Sequence, residues 1–260
     1  VRIPRVYVDQ PLASGADCPL DRRALDHAIK VLRLRAGDPL CLFNGQGGEF
    51  AAVLARGADG ALLAQVGEFT PDRRESPLAV RLVQGISRGE RMDYTLQKAV
   101  ELGVTDIVPV ITERTVLRLA GERAERRLAH WRGVVLAACE QSGRTRVPAV
   151  AEPCALSEYL AEYLADHSAD PAAGAGLLLD WAAPDALTDL AALTGPVSVL
   201  IGPEGGLAAA ERQAAQAAGY RPVRMGPRIL RTETAAVVAL AVLQALAGDL
   251  GGRRGAGVGP

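Results

Sequence analysis

Tryptophan, tyrosine and phenylalanine together make up only 4% of the 260 residues, so any base-stacking platform has to be one of a few side chains. Lysine is almost missing. Lys30 and Lys98 are the only lysines among 29 basic residues, and with Ala, Gly and Pro abundant this points to GC-rich codon usage, so arginine richness is not by itself an RNA signal. The longest apolar run, Ala235 to Leu243, is far short of the roughly 18 residues of a spanning helix, which excludes that class of membrane protein. The first residues carry Arg2 and Arg5 but no apolar block, and the expectation is an untargeted, cytoplasmic chain with no membrane partner.

Four scattered cysteines (Cys18, Cys41, Cys139, Cys154) form no CxxC, and three histidines (His27, His130, His167) stand far apart. Neither a disulfide framework nor a metal site is indicated, and no metal is expected. The GxxxxGK[ST] phosphate loop and the GxSxG elbow are also missing, which excludes the usual NTPases and serine hydrolases. The nearest approach to a dinucleotide fingerprint is Gly45-Gln46-Gly47-Gly48-Glu49-Phe50, which lacks the third glycine and reads as a hairpin turn.

What is present is ordinary globular composition, 49% hydrophobic and 23% charged, with a net charge of −1. That small average conceals segregation. Residues 151–195 hold eight acidic and no basic side chains, whereas 71–150 hold fourteen basic against ten acidic. A polyanion is attracted to the middle and C-terminal segments and repelled by the acidic one, unless the latter is only a solvated insertion.

The first 70 residues read as closely spaced strands (Arg5–Val8, Pro39–Phe43, Glu49–Ala55, Ala61–Val66) and one helix, Leu20–Val31, which suggests a small barrel. TPDRRESP at 70–77 reads as a linker. Strands then alternate with helices: strands Ala79–Val83, Asp106–Val110, Gly176–Leu179, Val197–Ile201 and Pro222–Met225; helices Met92–Leu102, about Glu122 to Gln141, Ala208–Ala218 and Thr232–Ala247. The class is α/β with a largely parallel sheet. The expected organisation is a barrel over 1–70, a linker over 71–77, a second domain over 78–250 and a flexible tail over 251–260, with a flexible insertion at His167–Gly176. The last helix is apolar all round, so it has to bury itself in a core or against another subunit.

Two loops following strands stand out. Ile201-Gly202-Pro203-Glu204-Gly205-Gly206 exposes backbone amides to a flat ligand, and equally suits a plain tight turn. Met225-Gly226-Pro227-Arg228-Ile229-Leu230-Arg231-Thr232-Glu233-Thr234-Ala235 leads into the last helix, where Thr232 or Thr234 can cap and Glu233 complements the dipole.

Taken with RGERMDYTLQKAVELGV (88–104), ACEQSGR (138–144), HAIKVLRLRAGD (27–38) and FNGQGGE (43–49), these loops resemble the ribosomal RNA small subunit methyltransferase E family, from about Arg5 to Ala247. The resemblance implies a PUA-like RNA-binding barrel followed by a SPOUT-class domain with a deep trefoil knot, and methyl transfer from S-adenosylmethionine to N3 of a uridine in 16S rRNA. It also implies a first cofactor loop at Asp180-Trp181-Ala182 and cofactor contacts from Leu179, Ile201, Gly202, Pro203, Glu204, Gly205, Gly206, Met225, Gly226, Ile229, Leu230, Thr232, Thr234 and Ala235. His27, Lys30, Arg33 and Arg35 would then face RNA, or simply form a solvated helix face. Phe43 and Asn44 would stack on and bond to an unpaired base, and Arg88, Arg91, Arg144 and Arg146 would contact phosphates. Arg231 and Glu233 are the expected catalytic pair, with Glu233 as base because no histidine falls in a matched C-terminal motif. A homodimer through the second domain is expected. The rival readings are another SPOUT enzyme, acting on a ribose 2′-hydroxyl or a tRNA base, and a non-catalytic ribosome assembly factor.

Overall fold

A parallel strand covered on both faces needs a near-continuous apolar run, and VSVLI at Val197–Ile201 supplies one broken only by Ser198, with all five residues buried. It lies inside the larger of two sheets in a computed structural model that describes residues 3–116, 121–169, 174–190, 193 and 195–251. The chain divides into two compact units, Val1–Glu75 with Leu136–Val147, and Ser76–Val135 with Pro148–Pro260.

The first unit contains β1 (Arg5–Tyr7), β2 (Asp17–Pro19), α1 (Arg22–Asp26), β3 (Pro39–Phe43), β4 (Glu49–Arg56) and β5 (Leu62–Thr70). Its strands pair in the order β1-β3-β4-β5-β2, parallel between β1 and β3 and antiparallel elsewhere. The small barrel of the sequence reading thus takes the form of a five-stranded sheet. Val6, Leu40, Leu42, Leu54 and Val66 fill its core together with Ala24 and Ala28 from the helix. Asp21 caps α1, accepting from the Ala24 amide at 2.7 Å. The helix then widens into one π-helical turn, His27–Val31. It closes through Leu32 N–H to His27 O and Leu34 N–H to Ala28 O, which places Arg33 at φ 58°, the one non-glycine residue of positive φ among those described.

The second unit runs β6 (Val80–Gly85), α2 (Glu90–Glu101), β7 (Asp106–Ile111), α3 (Glu122–Ser142), β8 (Ala149–Val150), β9 (Cys154–Ala155), α4 (Leu156–Ala169), β10 (Ala175–Leu179), β11 (Val197–Ile201), α5 (Ala209–Ala217), β12 (Arg221–Val223) and α6 (Thr232–Ala247). The strand order is β12-β10-β11-β6-β7-β8, with β9 also on β7, and every pairing is parallel. The last part of α3 belongs to the first unit, where the Glu140 carboxylate accepts from the Tyr7 amide at 3.1 Å and from Arg23 at 3.1 Å.

Two expectations are corrected. The acidic stretch is not an insertion at its start, because Leu156, Tyr159, Leu160 and Tyr163 of α4 are all buried in the core cluster that contains Leu178 and Leu200. Beneath that helix the hydroxyls of Tyr159, Ser198 and Tyr220 bond to one another at 2.7–3.0 Å. The part of the proposed insertion at 170–173 lies outside the described residues, as does the tail from 252. The stretch 71–77 is no free tether, since the Glu75 carboxylate accepts from Arg144 Nε at 2.9 Å and from the amides of Thr145 and Arg146. Burial pushes the Cys41 and Cys139 thiols up to about 12, so both are inert at neutral pH.

Candidate active site

The two glycine-bearing loops leave the C-terminal ends of β11 and β12, where open parallel sheets place their ligands. Close backbone packing explains the composition of the first loop. A Cβ on Gly85 would lie 2.5 Å from the Pro203 nitrogen, and one on Gly202 would lie 2.9 Å from the Gly206 carbonyl carbon. The turn closes through Gly206 N–H to Pro203 O at 2.8 Å, with Gly206 at φ 67°.

A buried polar chain joins the loops. Gln84 Nε2 donates to Thr232 Oγ1 at 2.9 Å, and Thr232 Oγ1 donates to Gly202 O at 2.7 Å. Thr232 is therefore not the cap of α6. That position is held by Arg231, whose side chain makes no capping bond.

Between the loops lies a cavity of about 450 Å³, within the range of small-molecule sites. Leu179, the whole 201–206 turn, Met225, Ile229, Leu230, Arg231, Thr232, Glu233 and Ala235 line it. Gly226 and Thr234 do not, and both are exposed. Asp180, Trp181, Arg91, Arg114, Arg212 and Arg228 line it as well. Asp180 and Trp181 belong to the first cofactor loop that the resemblance implies, Arg228 to the 225–235 loop, and Arg91 was held to be an RNA contact; Arg114 and Arg212 were missed, although Arg114 lies just beyond β7, at a strand end where a site was to be sought.

Each carboxylate of the cavity has a different environment. Burial pushes Glu204 up, but the Arg88 amide at 2.9 Å, its own amide and Arg91 at 3.0 Å outweigh it and hold the carboxyl below its ordinary value. Glu204 thus ties the turn to the start of α2. Asp180 lies 3.6 Å from Arg212. Glu233 Oε2 is buried with no hydrogen-bond partner. Arg114 donates to Gly205 O at 2.7 Å, and Glu211 in the first turn of α5 accepts from the Ala208 and Glu113 amides, both at 2.8 Å. The turn is braced from three sides.

In the first unit the expected RNA residues fare unevenly. Lys30, Arg33 and Arg35 are exposed, with Lys30 2.9 Å from Asp26, whereas His27 is half-buried 3.5 Å from Glu140. Phe43 is wholly buried, packed edge-on against Tyr7 with Arg5 over its ring, so it presents no face to a base. Asn44 uses its side-chain oxygen on the Gln46 amide. Arg144 is buried on Glu75, which removes it from phosphate contact; Arg146 is exposed and lies 3.4 Å from Asp72. Within that motif the Arg144 side chain is thus a structural element. Arg88 and Arg91 are exposed, Arg91 in its ion pair with Glu204.

Residues 74–244 match the RNA methyltransferase domain, and residues 20–66 match the RNA methyltransferase PUA domain. The ribosomal RNA small subunit methyltransferase E of Mycobacterium bovis is 35% identical over 92% of this chain and 90% of its own length. The chain belongs to this family. Among solved structures, the ribosomal RNA small subunit methyltransferase E of Neisseria gonorrhoeae bound to S-adenosyl methionine is similar at a TM-score of 0.85 and 38% identity, over 95% of this chain and 99% of that one. A Legionella pneumophila putative methyltransferase in complex with the same cofactor gives 0.88 and 36%, over 96% and 100%. No helix among the described residues is long and apolar enough to cross a membrane.

Proposed function

We propose that this chain methylates N3 of a uridine in 16S rRNA, using S-adenosylmethionine held in the cavity between the 201–206 and 225–235 loops. The observation that carries this is the pairing of a backbone-lined cavity with Glu233, whose Oε2 is buried there without a partner. The residues fit the cofactor. Leu179, Ile201 and Leu230 suit an adenine, the amides of the glycine turn suit its polar edge, and the carboxylates suit a sulfonium charge.

The cofactor supplies an electrophilic methyl group. Uridine N3 carries a proton and is a poor nucleophile until that proton leaves, and Glu233 takes it. Arg231 stabilises the negative charge that develops on the uracil oxygens. Lys30, Arg33 and Arg35 give the first unit its RNA affinity, and the reaction is cytoplasmic, where small subunits are found.

A homodimer through the second unit completes the reading. Val238 and Val242 of α6 are only half-buried, and Leu246 in line with them is 48% exposed, a stripe that a second copy would cover. Light scattering at micromolar concentration should give twice the chain mass, and an active monomer would refute the dimer. For the activity itself, purified enzyme with labelled cofactor should methylate small subunits from a strain lacking the modification, at one uridine found by mass mapping. Methyl on a ribose, or on tRNA, would overturn the assignment.

A further inference from the structure

The mouth of the cavity carries two features that the reaction as described does not use. Trp181 is 65% exposed and Ile229 is 75% exposed, and both line the cavity. A large apolar side chain left in water is unfavourable unless something covers it, and the turn that carries this tryptophan is hydrogen-bonded on both sides of it. Asp180 N–H donates to Val223 O at 3.0 Å, its carboxylate accepts from the Ala182 amide at 3.0 Å, and Ala183 N–H returns to Asp180 O at 3.1 Å. Backbone bonds thus fix the turn on both sides of the indole, which makes a preformed platform with little ordering left to do on binding.

The second feature is charge. Arg91, Arg114 and Arg212 of the cavity are engaged by Glu204, by Gly205 O and by Asp180. Arg228 and Arg231 line the same cavity, and their guanidinium groups make no hydrogen bond or ion pair to any described residue. Uncommitted guanidinium groups beside an exposed indole match a single-stranded nucleotide, whose base stacks on an aromatic face while its phosphates take the cations. Phe43 cannot serve, being buried, and the other tryptophan, Trp131, is 1% exposed.

We propose that Trp181 is the stacking platform for the acceptor uracil and that Arg228 grips a phosphate flanking it. This rests on the reading of the cavity as a uridine methylation site, and adds the residues that select an unpaired base. Stacking contacts of this kind lose about 5- to 150-fold in affinity on truncation to alanine. Trp181→Ala should therefore raise KM for small-subunit RNA by that factor while cofactor Kd and the dimer mass stay unchanged, and Trp181→Phe should recover most of the loss. Arg228→Gln should raise KM and lower the slope of log KM against log salt by about 0.7 to 0.9.

A direct readout avoids turnover. In Trp131→Phe, Trp181 is the sole tryptophan, and its emission should be quenched when a short uridine oligonucleotide is added to enzyme saturated with S-adenosylhomocysteine. A Trp181→Ala enzyme with weakened cofactor binding and normal KM for RNA would overturn the proposal, making the indole a cofactor cover. A loss of dimer mass in that variant would overturn it too, assigning the indole to the subunit interface. Unchanged emission with oligonucleotide would do the same even if Trp131→Phe is less stable, because KM and Kd are measured on a separate variant. Should wild-type enzyme fail to methylate uridine, the functional reading falls, and the emission titration still decides the platform.

Discussion

The two units treat their sequence motifs in opposite ways. In the second, residues as far apart in sequence as Arg91 and Ala235 converge on one cavity because the segments that carry them meet at the ends of one parallel sheet. In the first, the residues expected to meet RNA are scattered by depth: Lys30 and Arg35 stay in water, Phe43 disappears into the core, and Arg144 is spent on Glu75. A site made of glycines and main-chain amides is fixed by topology, whereas a site made of side chains is fixed by burial, which motif matching does not report. The comparison predicts that changes in the second unit act on turnover, cofactor or the hold on the acceptor nucleotide, and that changes in the first reach RNA affinity without touching turnover or cofactor.

The largest expected effect breaks the second unit without touching the first. Glu233→Gln keeps the shape of the side chain and removes its basicity, and a positioned base contributes about 10²- to 10⁴-fold. We expect kcat to fall at least about 10²-fold with cofactor and RNA affinities unchanged, measured by single-turnover methyl transfer and calorimetry. If Glu233→Gln turns over normally while Glu204→Gln does not, the carboxylates have been assigned in the wrong order.

Legibility in the sequence followed the same division. Strands β3 and β11 and helix α6 have the bounds read from hydrophobic pattern, since a buried run or a long apolar helix needs little help from its surroundings. β2 was missed because Asp17 and Pro19 are poor strand formers, and only its ladder with β5 makes Asp17–Pro19 a strand. β8 and β9, two residues each, exist only as additions to β7. In α4, Leu156, Tyr159, Leu160 and Tyr163 fall at i, i+3, i+4 and i+7, a helix signal that a reading by charge passes over. In the cavity, Arg114 and Arg212 stayed hidden because neither belongs to a glycine motif; the ends of strands and the helices that follow them, not motifs, would have found them.

A smaller effect tests whether the two loops of the second unit are one device. Thr232→Val removes a hydroxyl that both accepts from Gln84 and donates to Gly202 O, and leaves that carbonyl without this donor. Losing buried partners costs about 1–3 kcal/mol. Unfolding midpoint and cofactor affinity should fall together, with RNA affinity unchanged, and Thr232→Ser should restore both. A variant that lost stability yet bound cofactor normally would show that the polar chain serves the fold and not the site.

The smallest effect belongs to the first unit and separates stability from binding there. Arg33 sits at φ 58°, where the following π-helical turn ends, a conformation costing a non-glycine residue about 1–2 kcal/mol. Glycine takes that conformation freely but is more flexible in the unfolded chain, so Arg33→Gly should gain about 1 kcal/mol at most in chemical denaturation. If the exposed guanidinium contacts a phosphate, the same variant should bind RNA more weakly, with a salt slope lower by about 0.7 to 0.9. Arg33→Ala then serves as control, losing the charge while keeping the strained backbone, so it should weaken RNA binding equally and gain no stability. An Arg33→Gly protein that is more stable and binds RNA as tightly as wild type would leave the strain without a binding role, and would move the RNA surface of the first unit away from the end of this helix.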